Sequence, residues 1–260
     1  MPQTKTGAAP SKPERTGGVK SVDRAIDLLE LLADYGGEST LSELAEQTSL
    51  PLPTIHRLMR ALLSRGYVRQ LPSRRYTLGP RLMRLGDTAS RQFGSSTRPY
   101  LTRLADELGE SANLAILDHD RAVYVGQASS SHSMRMFTEV GRRVHMHCTG
   151  VGKVILAQLS DDDVTQIIER TGLPPATEKS IDTMSDLMAE LGRIRRAGYG
   201  IDDGEQEIGV RCFAVPVPGA PAPTALSISG PDARVTKDFG DRAVPMLQEF
   251  AAQIGARLDL

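Results

Sequence analysis

The tightest constraint on this chain is a turn caught between two short helical patterns. Thr40-Leu-Ser-Glu43 has the spacing of a capping box, with Thr40 as cap, Glu43 reaching back to it, and Leu41, Leu44 and Ala45 inward. Ser49-Leu-Pro-Leu-Pro53 then turns the chain, and Pro53 suits the first turn of a helix, where its missing N–H has no partner to lose. From Thr54 to Ser64 the residues Ile55, Leu58, Met59, Leu62 and Leu63 form an inward stripe and leave Thr54, His56, Arg57, Arg60 and Ala61 outside. A short helix, a tight turn and a helix with a cationic outer face make a helix-turn-helix pattern. An earlier helix, with Val22, Ala25, Ile26, Leu29 and Leu32 at helical spacing, is stopped by Gly36-Gly37.

After Gly66, Tyr67-Val-Arg-Gln70 and Tyr76-Thr-Leu-Gly79 flank the turn Leu71-Pro-Ser-Arg-Arg75, a hairpin with basic residues at its tip. Between Gln47 and Gly86 stand eight arginines and no acid, in a chain of formal net charge -1. Residues 1–88 hold 13 Lys+Arg against 9 Asp+Glu, and the remaining 172 hold 18 against 23. A small basic module is thus joined to a larger acidic one, which points to nucleic acid as the partner of the first alone. Arg57 and Arg60 are the best placed to pair with guanine edges in a major groove. Arg74 and Arg75, at a tip with few internal partners, suit phosphates, and Thr54, His56 and Lys20 complete the expected DNA face. Met1–Gly18, rich in Pro, Gly, Thr and Lys, reads as a disordered arm.

The rest alternates helices and strands. A helix over Pro80–Phe93, with Leu82, Leu85 and Ala89 inward, reads as a linker, and another starts at Pro99 and ends at Gly109. Strands are expected at Ala112–Leu117, Ala122–Gln127, Met134–Thr138, Arg211–Val217 and Thr224–Ser229. Helices are expected at Gly150–Leu159, Ser160–Arg170 and Met184–Ala197, with a final one using Val244, Leu247, Ala251, Ile254 and Leu258. The fold class is therefore α+β. It comprises an arm (1–18), a winged helix-turn-helix domain (19–80), a linker helix (81–97) and a C-terminal domain (98–260) of mixed sheet and flanking helices, a common frame for small-molecule pockets. Two cysteines are too few for a disulfide framework, and no run approaches the ~20 apolar residues of a membrane span, so a cytoplasmic chain is expected.

Thr149-Gly-Val-Gly-Lys153 opens a helix behind glycines, so free amides and the positive dipole end converge and favour a small anion. It is not a phosphate-binding loop of the Walker type, because His147 and Val154 occupy two of that motif's required positions. No cofactor is expected. Ser227-Ile-Ser229 places two hydroxyls on one face of a strand and Ile228 on the other.

The winged module and linker, followed by TGVGKVIL, GYGIDDGEQEIGVRCFAVPV and ALSISGP in that order, resemble the IclR family of bacterial transcriptional regulators over roughly residues 19–260. The resemblance implies a DNA-binding dimer or tetramer that reads a near-palindromic operator. It also implies a GAF/PAS-like C-terminal domain that binds a small carboxylate. Asp202, Cys212, Ser227 and Ser229 match the effector-contacting positions of the allantoin/glyoxylate-responsive repressor branch, with the backbone amides there corresponding to Gly150 and Val151. Val151 departs from the alanine usual in that branch and narrows the space. The expectation is a non-enzymatic regulator, a repressor, of a catabolic operon in allantoin, purine-nitrogen or glyoxylate metabolism, with an IclR-type regulator of another carboxylate or aromatic-acid pathway as the alternative.

Other readings of the same residues compete. Cys212, a histidine and Asp202 have the chemistry of a nucleophile, base and orienting acid, but nothing marks a low thiol pKa. His145-Met-His147-Cys148 puts two imidazoles at strand spacing beside a thiolate, a partial zinc set lacking its fourth ligand. An RNA-binding role fits poorly with 4% aromatic residues, because single strands favour stacking platforms.

Overall fold

A computed structural model describes residues 19–93, 96–136 and 138–257. The arm expected at Met1–Gly18 and the expected core residue Leu258 lie outside the described residues. The chain divides into two compact units, with the boundary between Ala89 and Ser90.

The first unit runs α1 (Lys20–Asp34), β1 (Glu38–Ser39), α2 (Leu41–Thr48), α3 (Leu52–Ser64), β2 (Val68–Gln70), β3 (Tyr76–Leu78) and α4 (Arg81–Phe93), the last crossing the boundary. The capping box forms in both directions: Glu43 N donates to Thr40 Oγ1 at 3.2 Å, and Thr40 N donates to Glu43 Oε2 at 2.8 Å. Backbone and Ser39 hydrogen bonds hold the Glu43 carboxyl down at about 2. Antiparallel strands in the order β1-β3-β2 form the wing, and β1 was not expected from sequence.

Leu28, Leu32, Leu44, Ile55, Met59, Leu62, Val68 and Tyr76 fill this unit's core. The expected stripe of α1 is corrected, since Val22 and Ile26 are 52% and 48% exposed while Leu28 is fully buried. Two overlapping stripes, 22/25/26/29 and 25/28/29/32, both satisfy helical spacing, and packing against α3 selects the second. Leu63 is likewise turned outward, and in α4 both Leu85 and Ala89 are exposed instead of inward.

The second unit runs α5 (Arg98–Leu108), β4 (Ser111–Asp118), β5 (Arg121–Ala128), β6 (Arg143–Val144), α6 (Gly150–Ala157), α7 (Asp161–Thr171), α8 (Met184–Ala197), β7 (Gly200–Asp203), β8 (Val210–Pro216), β9 (Thr224–Pro231) and α9 (Lys237–Gly255). One sheet of order β6-β5-β4-β9-β8-β7 organises it. Every recorded pairing is antiparallel, which corrects the expected mixed sheet. The hairpins β4–β5 and β8–β9 meet through β4 and β9, and that long-range junction sets the strand direction.

No strand forms over the described part of Met134–Thr138. The Met134 and Met136 carbonyls are taken by Arg234 and by the Ser111 hydroxyl, in place of a ladder. The short β6 edges the sheet there, and β7, unexpected from sequence, edges the other side.

Alternation along the strands separates two cores. Ala112, Leu114, Phe213, Val215, Leu226 and Ile228 pack with α5 and α9. Ala115, Ala214 and Ala225 face the other way, into a core with α6, α7 and α8. The polar residues of interest share this second face.

Candidate functional site

The helix-turn-helix presents its expected face. Within α3, Ile55, Leu58, Met59 and Leu62 are buried, while His56, Arg57 and Arg60 are exposed and Thr54 is half-buried. Lys20 stands exposed on a different element, as the first residue of α1. The wing turns through Leu71–Arg75, closed by Leu71 N to the Arg75 carbonyl at 2.8 Å, and Arg74 takes a left-handed φ of 64° at its exposed tip. Arg75 behaves differently from Arg74. Its guanidinium pairs with Glu38 at 3.3 Å and Glu43 at 3.1 Å, so the expectation of few internal partners is corrected. The cation ties the wing to the cap of α2.

In the second unit, strand register assembles the other site. Asp202 pairs with Cys212, Cys212 with Ser229, and Ser229 with Ser111, one row across four strands. The next row on that face places Ala214 beside Ser227, Ser227 beside Asn113, and Asn113 beside Gln127. As the Ser-x-Ser alternation predicts, Ile228 points into the opposite core.

The start of α6 lies over these rows. A Cβ on Gly150 would come within 3.0 Å of Cys212 Sγ and 3.6 Å of the Asp202 amide nitrogen. Thr149 caps the helix by accepting from Gly152 N at 3.1 Å, and Lys153 N is taken by the Thr149 carbonyl. Gly150 and Val151 then carry first-turn amides with no intrahelical acceptor. A Cβ on Gly152 would stand 2.3 Å from Met146 Cα, so only glycine lets the helix begin here.

The site is desolvated and holds more polar groups than it satisfies. Ser227 and Asn113 are each 1% exposed; the Ser227 hydroxyl has only the Cys212 thiol beside it, and Asn113 Oδ1 and Gln127 Nε2 are buried with no hydrogen-bond partner. A buried polar atom left unpaired is costly, and a ligand that pairs it recovers the cost. Asn113 Nδ2 donates to Ser229 Oγ at 3.1 Å, so it adjoins the expected ligand residues. Asp202 Oδ1 accepts from Glu205 N at 2.8 Å and Gln206 N at 3.3 Å. Burial still outweighs these bonds and, with the Glu205 carboxyl nearby, pushes the Asp202 carboxyl up to about 6.

Sequence reasoning missed Ser111, Asn113, Tyr124 and Gln127. A signal for the first two existed: Ser111 and Asn113 alternate with Ala112 and Leu114, as the two serines of β9 do about Ile228. Tyr124 carried none, because a bulge between Leu114 and Ala115 sets its register; desolvation of its half-buried phenol, with Cys212 and Asp202 nearby, pushes that phenol up. Lys153, part of a motif read only for its amides, is 1% exposed and pairs with Glu205 at 2.5 Å and Glu190 at 3.5 Å.

The competing chemistries lose their footing. Burial pushes the Cys212 thiol up to about 12, the opposite of an activated nucleophile. Among the described residues no three His, Cys, Asp or Glu side chains converge to hold a metal ion. His147 Nε2 lies 3.2 Å from the Pro174 carbonyl, and Cys148 donates to Gln206 Oε1 at 3.2 Å, so two members of the zinc set already have partners. No helix among the described residues is long and apolar enough to cross a membrane.

Comparison with known proteins agrees with this anatomy. The family model for the IclR helix-turn-helix domain matches residues 21–72, and that for the bacterial transcriptional regulator IclR C-terminal domain matches residues 88–256. The chain is 35% identical to the transcriptional repressor IclR of Escherichia coli strain K12, over 92% of each chain. It is 30% identical to the HTH-type transcriptional repressor AllR of the same strain, over 96% of this chain and 94% of that one. A crystal structure of an IclR transcriptional regulator from Alicyclobacillus acidocaldarius superposes with a TM-score of 0.81 at 30% identity, covering 93% of this chain and 99% of that one. The allantoin branch is thus one of several that the chain resembles. With both domains matched, a DNA-reading helix-turn-helix followed by a small-molecule-binding domain, the chain belongs to the IclR family, whose members are bacterial transcription regulators and not enzymes.

Proposed function

We propose that this protein is a cytoplasmic repressor of a catabolic operon, released from its operator by a small carboxylate seated between the start of α6 and the polar rows of the sheet. The observation that carries the reading is the buried Asn113 carboxamide oxygen, which has no hydrogen-bond partner and lies in the rows over which the first-turn amides of Gly150 and Val151 begin their helix. Gly150, Val151, Asp202, Cys212, Ser227 and Ser229 are assigned to the ligand, with Asn113 as a further contact. Glyoxylate and allantoate are the first candidates, in keeping with the resemblance to the allantoin/glyoxylate branch. Relatives named as repressors support the sign of regulation.

On the DNA side, Thr54, His56, Arg57 and Arg60 of α3 enter the major groove, while Arg74 and Lys20 contact phosphates. Arg75, held by two carboxylates, braces the wing. A dimer, or a tetramer built from dimers, presents two such faces to a near-palindromic operator. For the ligand to release DNA it must favour the released state, and a preference of ~100-fold corresponds to about 2.7 kcal/mol of coupling.

Calorimetry with glyoxylate, allantoin and allantoate tests the pocket. Ser229→Ala is expected to weaken the best binder by ~1 kcal/mol or more and leave operator affinity unchanged in a gel-shift assay. Unaltered ligand affinity in that variant would remove Ser229 from the site.

A further inference from the structure

The candidate site already holds a carboxyl group, and the cation near it is occupied. Asp202 is 5% exposed and shares its face of the sheet with Cys212 and Ser229. The titratable groups facing its carboxyl are Cys212 of β8, Tyr124 of β5, Cys148 before α6, Lys153 of α6 and Glu205 after β7. Burial keeps both thiols and the phenol protonated. Glu205 is a second carboxyl, itself pushed up by burial. Lys153 Nζ is closed between Glu205 and Glu190, so its charge is matched before any ligand arrives.

An anion seated at the α6 amides therefore meets a carboxylate in a site that excludes water. Two such groups cannot both stay ionised cheaply, and each raises the proton affinity of the other. We propose that the effector is bound as a small monocarboxylate together with one proton, shared between its carboxyl and that of Asp202, and that dianions are rejected. This rests on the carboxylate reading of the pocket. Asp202 Oδ1 is engaged by the Glu205 and Gln206 amides, which leaves Oδ2 to hold the bridging proton. The balance is simple: one proton comes from solvent, forms an O–H···O bridge, and no covalent bond to carbon changes.

The direction with pH follows. Asp202 titrates at about 6 in the free protein. Below that value the proton is already present and binding takes up little. Above it each bound ligand must bring one in, and affinity falls roughly tenfold per pH unit.

Calorimetry of the full chain with glyoxylate, in two buffers of different ionisation enthalpy, counts the protons directly. Uptake of about one proton is expected near pH ~8 and a small fraction of one near pH ~5. Oxalate, the dianion of similar size, is expected to bind at least ~10-fold more weakly than glyoxylate near pH ~8. Asp202→Asn keeps the oxygen that accepts the two amides, and is expected to bind glyoxylate without proton uptake and with a flat pH profile. Glyoxylate binding near pH ~8 with no proton taken up would overturn the proposal. Uptake that survives in Asp202→Asn would do the same, by moving the proton to another group such as Glu205 or His147. Oxalate binding as tightly as glyoxylate would sink the exclusion of dianions. Should the variant fail to fold, the proton count on the unaltered chain still decides. If neither glyoxylate nor allantoate binds at either pH, the carboxylate reading itself falls and takes this proposal with it, a result distinct from binding without a proton.

Discussion

The two units place their candidate binding residues on opposite sides of the protein–water boundary. In the first, His56, Arg57, Arg60 and Arg74 stand exposed over a core of aliphatic residues, and their charges stay solvated. In the second, Asp202, Cys212, Ser227 and Ser229 are all buried, and the groups around them include unpaired polar atoms and carboxyls pushed upward. The proposed partners account for the contrast. DNA is a wet polyanion, recognised by cations that can shed counterions without leaving water. A small metabolite offers little area, so its site must remove water and hold donors ready, at a cost in stability of the empty protein. The first unit is therefore expected to tolerate change on its face, whereas the second carries a desolvation cost that mutation should reveal.

The largest expected effect lies at the start of α6. Gly152→Ala forces a Cβ to 2.3 Å from Met146 Cα, and a loss of ~3–5 kcal/mol is expected in urea denaturation of the second unit. A variant as stable as the parent would mean that the buried site yields as readily as the exposed face.

Asp202→Asn tests the stored cost with the opposite sign. A carboxyl raised from 3.8 to about 6 binds more protons folded than unfolded between those values, so stability falls as pH rises through that window. Asparagine cannot ionise, and a gain of ~1–3 kcal/mol at neutral pH is expected, vanishing toward pH ~4. Thermal melts across that range check it. Equal melting of the two proteins at every pH would show that the buried carboxylate carries no penalty.

On the open face, Arg57→Ala and Arg60→Ala are expected to weaken operator binding by ~1–3 kcal/mol where the side chain reads a base. They should leave the melting temperature nearly unchanged. Equal loss on operator and random DNA would demote that arginine to a phosphate contact. The smallest effect is expected at Arg75→Ala, where two half-exposed ion pairs contribute ~1 kcal/mol or less to the first unit. A much larger loss of DNA affinity than of stability would return Arg75 to the DNA face.

Much of the first unit was legible because its elements are local. The capping box, the Pro53 turn, the α3 stripe and the β2–β3 hairpin each lie within a dozen residues, and their signals are short-range contacts and periodicity. One failure there was of phase, since α1 carries two equally valid stripes and only the α3 surface selects Leu28 over Val22 and Ile26; the others, β1 and the partners of Arg75, were long-range. In the second unit the Ser227/Ser229 alternation was readable, but Asn113, Tyr124 and Gln127 were not linked to it. Asn113 and Ser229 are 116 positions apart and meet through a single hydrogen bond and one strand register.

Residue order alone therefore determined all the helices and the longer strands, where the cationic face lies, and that glycines open α6 on either side of Val151. These follow from backbone sterics, capping and amphipathic spacing, which act over a few residues. Tertiary structure decided that the sheet is antiparallel throughout, that Arg75 is a brace where Arg74 is free at the tip, and that Lys153 is neutralised by Glu205 and Glu190. It also decided that Asp202 is dry. Each of these depends on which distant groups arrive within a few ångströms, and desolvation is a property of the whole packed surround, which no local pattern records.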